Sequence, residues 1–275
     1  MRLTTSSLLL SLFVLAAGRP AVAQRERATA SAVGGWTDPS PHRSRLVPIR
    51  PGVHLEVLDW GGQGPPLLFL SGLEDNAHEF DDVAPLADDI RLVLDRLHLQ
   101  RVDLVGHSYG GDEISKFAST YPTRVRRIVY LDAAHDRTGL LAVLQASPVP
   151  SPPPMTAADS ASPAAVVLSA TEHPAYSRIR APALGIDAVA DSAMQLFAGY
   201  GAMSSADASR ARRAGERILG WAARERDRFR REMPHARVVE LRGANHYVFV
   251  SNEAEVESAI RGLLCAPEPA RSPRP

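Results

Sequence analysis

Ser108 lies in Gly106-His107-Ser108-Tyr109-Gly110-Gly111, which contains the pattern Gly-x-Ser-x-Gly. A serine hydroxyl attacks a carbonyl carbon well only when an imidazole takes its proton and a carboxylate orients that imidazole. His246, in Gly243-Ala244-Asn245-His246, is the candidate base, and Asp191 the favoured acid, with Asp132 and Asp187 as rivals. An acid of this kind also has a plain structural reading, since Asp before a helix is a common N-cap. The charge that develops on the attacked oxygen needs two backbone N–H groups. The amide of Tyr109, next to the serine, is one, and the amide of Leu73 in Ser71-Gly72-Leu73 is expected to be the other. His78, His135 and Tyr247 follow strand-like runs or the candidate base and are candidates to line a substrate pocket.

A pentapeptide of this kind arises by chance in about one chain in ten of this length, from the ordinary abundance of Gly and Ser. Its setting makes it informative. The apolar strand-like run Val102–Val105, within Arg101–Gly106, leads straight into it and the helix-like segment Asp112–Thr120 follows. Strand, sharp turn and helix are what exposes a serine oxygen at the top of a sheet, and small neighbours let strand and helix approach.

The elements that must hold these groups read as an alternation. Arg45–Ile49 and Val53–Asp59 form a hairpin around Pro51-Gly52, and Pro66–Leu70 is a strand apolar on both faces. Val83, Leu86, Ile90, Val93, Leu94 and Leu97 recur at helical spacing. Arg127–Asp132, Ala183–Asp187 and Arg237–Arg242 read as further strands, with helices over Thr138–Gln145, Ser204–Met233 and Glu253–Leu264. Asn252 and Glu255 are spaced for a capping box at the last helix. Such alternation predicts an α/β fold, a mostly parallel sheet with helices on both faces. The Pro-rich stretch inside residues 137–180 breaks the rhythm and reads as a reduced lid inserted in a domain spanning 42–266.

Composition narrows the function. The chain has 275 residues with 31 Lys+Arg against 31 Asp+Glu, and this balance argues against nucleic acid or an anionic membrane as the main partner. A single cysteine, Cys265, excludes an internal disulfide and a four-Cys zinc cluster. No His-Glu-x-x-His spacing occurs, so neither metal nor cofactor is expected.

Residues 1–23 carry Arg2, an apolar run from Leu8 to Ala17 and the site Ala21-Val22-Ala23, the pattern of a secretory signal peptide. Cleavage before Gln24 and export to the periplasm or medium are the expectation, with no integral membrane segment in the mature chain. Residues 24–41 read as a flexible lead-in and 267–275 as a disordered tail.

The segments LSGL, GHSYGG, YLDAAHD, Ala183–Asp191 and GANHYVF, in this order, resemble the α/β-hydrolase superfamily from about Arg45 to Leu264. The resemblance implies Ser108 as nucleophile, His246 as base, Asp191 as acid, and the Leu73 and Tyr109 amides as oxyanion hole. It implies an esterase-like activity on a small-molecule ester. A serine nucleophile argues against haloalkane dehalogenase or epoxide hydrolase chemistry. Where the superfamily has His-Gly before the oxyanion amide, this chain has Ser71-Gly72. The stretch from Gly72 to Ser108 has room for one βαβ unit of about 30 residues and not two. One central strand, placed by family topology between Val53–Asp59 and Pro66–Leu70, is therefore expected to be missing. The alternative reading is a shortened, catalytically inactive member, acting as a binding protein or having no activity.

Overall fold

The strands inside the molecule are rich in apolar residues on both faces, most completely in Leu67–Leu70, as expected for segments covered on both sides. The computed structural model describes residues 42–72, 84–146, 171–197 and 199–267, and the backbone of 12–15. The strands are β1 (Leu12–Leu15), β2 (Arg43–Arg50), β3 (Val53–Asp59), β4 (Leu67–Leu70), β5 (Val102–His107), β6 (Val125–Leu131), β7 (Ala183–Val189) and β8 (Arg237–Arg242). They form one sheet in the order β2-β3-β1-β4-β5-β6-β7-β8. From β4 to β8 every neighbour is parallel, and β2 and β3 form the expected antiparallel hairpin. Gly52 turns this hairpin at φ 77°, a conformation glycine adopts without strain.

Among the described residues no strand lies between β4 and β5, in line with the short spacing in the sequence. The place between β3 and β4 is taken by β1, parallel to β3 and antiparallel to β4. The remainder of the expected leader, the lead-in 24–41 and the tail beyond Pro267 lie outside the described residues. So does the middle of the lid, of which 137–146 and 171–180 are described.

Alternation along the strands makes two cores. Leu68, Leu104, Ile128 and Tyr130 face α1 (Ala84–Arg96), α2 (Gly110–Thr120) and Phe229 of the long helix α4 (Ser205–Glu232). Val105, Val129, Leu131, Leu184 and Ile186 face Val256 and Ala259 of the last helix, α5 (Glu253–Leu264). The short helix α3 (Leu140–Gln145) opens the lid. Helices thus cover both faces, and the fold is that of the α/β-hydrolases. Ser204 caps α4 by accepting the Asp207 N–H at 3.1 Å. At α5 the expected capping box is replaced: the Asn252 amide donates to the Glu255 carboxylate at 3.3 Å and makes no side-chain bond to the helix backbone. Among the described residues no helix is long and apolar enough to cross a membrane.

Candidate active site

The parallel strands end on one edge, and the chemistry-bearing residues gather there. β5 ends at His107 and α2 begins at Gly110, so the chain must turn within two residues. Ser108 makes that turn at φ 50°, in the left-handed region that is costly for a residue with a Cβ. Gly111 N–H bonds Ser108 O at 3.0 Å and Asp112 N–H bonds Tyr109 O at 2.9 Å, which starts the helix. A Cβ on Gly106 would lie 2.6 Å from Gly110 O, and one on Gly110 would lie 2.7 Å from Leu70 O. The elbow closes only because both positions lack a side chain. Ser108 is left half-buried, its backbone tied to β6 through Ser108 N–H and Leu131 O at 3.2 Å.

His246 reaches this edge on the loop after β8. Gly243 starts the loop at φ 71° and donates its N–H to Val189 O at 2.9 Å. His107, 5% exposed, donates from Nε2 to the carbonyl oxygen of His246 at 3.2 Å. Its ring lies 4.7 Å from the ring of His246, 5.0 Å from Tyr247 and 5.1 Å from Phe249. His107 therefore anchors the His246 loop to the end of β5, a role the sequence did not reveal. The only signal for it was an aromatic-rich segment, His246-Tyr247-Val248-Phe249, far away in the chain.

Held there, His246 meets a carboxylate other than the expected one. His246 Nδ1 donates to Asp132 Oδ2 at 2.6 Å, and Asp132 Oδ1 accepts the Ala188 N–H at 3.0 Å. The expected pairing of His246 with Asp191 is therefore replaced by a pairing with Asp132. The cause is geometric: β6 lies beside β5, β7 one strand further off, and neighbouring strands are about 4.8 Å apart. With its loop pinned to His107, His246 hangs over the β5–β6 edge. Asp191 is exposed, its N–H bonded to the side chain of Gln195 at 2.7 Å and its carboxylate near Gly243. Asp132 turns at φ 46°, a left-handed conformation that Asp tolerates better than most residues. Burial alone would raise the Asp132 carboxyl, but the His246 hydrogen bond, the nearby imidazoles and the Ala188 N–H outweigh it and hold it below its ordinary value.

His135 does not line an open pocket. It is 6% exposed, its ring tilted against Trp221 at 5.4 Å, and burial pushes it down to about 4, so it is neutral. Asp187 lies within β7, as its sequence position suggested, and is 1% exposed. Asp132, His135 and Asp187 each bring one donor atom to within 4.8 Å of the others. Both Asp132 oxygens already accept N–H bonds, and Arg226 and Arg230 lie near Asp187. Tyr247 is 43% exposed beside His246, whereas the Tyr109 side chain is 2% exposed and offers the edge only its backbone. Leu73 and His78 lie outside the described residues.

The arrangement has a definite chemical capacity. With Nδ1 donating to Asp132, a neutral His246 carries its lone pair on Nε2, the atom that accepts a proton in general-base catalysis.

A family model described as "alpha/beta hydrolase fold" matches residues 62–173. The human "Serine hydrolase-like protein" is 30% identical over 122 residues, covering 32% of this chain and 60% of that protein. The match thus spans less than two thirds of the relative's length. A shorter segment of 41 residues is 54% identical to the 2-hydroxy-6-oxo-2,4-heptadienoate hydrolase of Pseudomonas putida, 15% of each chain. Among solved structures, a carboxylesterase of Nitrososphaera gargenis superposes with a TM-score of 0.47 at 15% identity, over 78% of this chain and 80% of the other.

Proposed function

This chain belongs to the α/β-hydrolase superfamily, and from that premise we propose that it is a serine hydrolase cleaving a small or medium carboxylic ester through an acyl-enzyme intermediate. The observation that carries the reading is one edge of one sheet. There, a serine strained into an exposed turn ends β5 and an Asp132–His246 pair at 2.6 Å stands at the end of the adjacent strand.

In this reading Ser108 Oγ attacks the ester carbonyl while His246 Nε2 takes the hydroxyl proton. Asp132 holds the imidazole by Nδ1 and stabilises the imidazolium that forms. The oxyanion is met by the backbone N–H of Tyr109 and, as the sequence suggests, that of Leu73. His246 then protonates the departing alcohol, and a water activated by the same imidazole releases the acid from Ser108.

Labelling with a fluorophosphonate probe tests this directly. The folded protein should label, Ser108→Ala should not, and short nitrophenyl esters should be turned over. A folded protein without Ser108-dependent labelling or turnover would leave the inactive binding-protein reading in its place.

Export is the second part of the proposal, supported by the leader pattern of residues 1–23. Processing after Ala23 removes Leu12–Leu15 and with it the pairing between β3 and β4. N-terminal sequencing of protein recovered outside the cytoplasm should begin at Gln24. Recovery only of chains starting at Met1 would end the export reading.

A further inference from the structure

The serine hydrolase reading uses Ser108, His246 and Asp132, and leaves one buried acid unexplained. Asp187 of β7 is 1% exposed, and among the described residues neither of its carboxylate oxygens has a hydrogen-bond partner. The Nε2 of His135 is likewise buried without a partner among the described residues. One donor atom from each of Asp132, His135 and Asp187 falls within 4.8 Å of the other two. Two carboxylates so close do not both ionise freely, because the second charge is placed against the first in a region of low dielectric.

We propose that Asp187 is a positioning residue of the triad, carrying a proton in the resting site. By keeping or losing that proton, it sets whether Asp132 faces His246 as a lone charge or as half of a carboxylate pair. The inference rests on the assignment of Asp132 and His246 to the triad. Every charged or titratable group facing Asp187 bears on it: Asp132 after β6, His135 on the following loop, Arg226 and Arg230 on α4, and Glu240 on β8. Burial, Asp132 and Glu240 favour the protonated form, while the two arginines oppose it, and the balance pushes Asp187 up to about 7. His135 is held neutral by burial and adds no positive charge. The proton on Asp187 therefore comes off in the range where a catalytic histidine works.

The sign of the effect follows. Ionised Asp187 adds negative charge behind Asp132, favours the imidazolium form of His246 and so raises the pH at which the base becomes free. Asp187→Asn removes that charge at every pH while keeping the shape.

The experiment is an NMR titration of the His246 ring between pH 4.5 and 9, with the signal assigned by its absence in His246→Gln. In the wild-type protein the ring should titrate in two coupled steps. In Asp187→Asn it should titrate in one, at lower pH, because the charge behind Asp132 is gone. The acidic limb of kcat/KM should move the same way, with KM unchanged. Arg230→Gln, on the exposed side of α4, should shift the upper step to higher pH by letting Asp187 keep its proton longer. This second variant carries the test should Asp187→Asn not fold. Identical His246 curves in wild type and both variants would overturn the proposal, as would stoichiometric Zn²⁺ binding by the wild type that Asp187→Asn abolishes. Because the titration needs no substrate, its outcome is separate from that of the Ser108 labelling, which alone decides the hydrolase reading.

Discussion

Carboxylates are buried in two regions of this molecule, and the molecule meets their charge in opposite ways. At the start of α2, Asp112 and Glu113 sit with Asp89 of α1, and all three are buried. There Arg137 donates to Asp112 at 2.5 Å and Arg50 pairs with Asp89. Burial, with Asp112 and Asp89 nearby, pushes Glu113 up to about 8, so it is neutral at pH 7. This charge is cancelled inside the molecule by guanidinium groups and a proton. At the ends of β6 and β7 the charge of Asp132 is instead directed outward, onto a histidine whose side chain is 46% exposed. The contrast teaches that a buried acid with a shifted pKa does not by itself mark a reactive site. What distinguishes the second region is a proton acceptor that spans the buried charge and the solvent.

The largest effect expected from this contrast is catalytic. Asp132→Asn should lower kcat/KM by about 10³–10⁴-fold, since with Oδ1 held by the Ala188 N–H the amide NH2 faces His246 Nδ1 and donates to it, favouring the wrong tautomer, while unfolding changes little. Asp191→Asn should leave ester turnover near wild type. Equal losses in the two variants would remove the distinction drawn from the β6 edge.

In the first region the expected effect is on stability. Arg137→Ala strands the charge of Asp112 in the interior and should cost about 3–5 kcal/mol in denaturant unfolding, with turnover per folded molecule retained. A variant as stable as wild type would show that Asp112 is not held as the ion pair suggests.

The smallest effect concerns Glu113. Its value in the folded protein, about 8, lies above the ordinary 4.5 that applies to the unfolded chain. Between those values the folded state binds the extra proton, so this group's contribution to stability is full below 4.5 and is lost as pH rises through 8. Glu113→Gln should therefore flatten the fall of Tm between pH 5 and 8, by a few degrees. An unchanged slope would mean that Glu113 is ionised in the fold.

The elbow was legible in the sequence because its determinants are local. Gly106, Ser108 and Gly110 lie within five residues, and the contacts that require the glycines are made by the strand and helix on either side. Leu104 and Ile128 face one core and Val105 and Val129 the other, as strand alternation requires. The acid was not legible. Asp132, Asp187 and Asp191 all lie at or near the end of a strand, and local pattern treats them alike. Choosing between them depends on where the loop after β8 lands, and that is fixed by a contact between His107 and His246, 139 residues apart in the chain. The same holds for the sheet centre: the short Gly72–Ser108 spacing showed that no strand could come from there, but not that Leu12–Leu15 would pair with β3 and β4.

The sequence by itself determined the alternating architecture, the strained serine turn and the histidine offered as its partner, because periodicity and turn sterics act over a few residues. Only the tertiary structure decided which carboxylate faces that histidine and which remains behind it. That choice depends on strand order and on the path of a distant loop, and neither is written in any local run of residues.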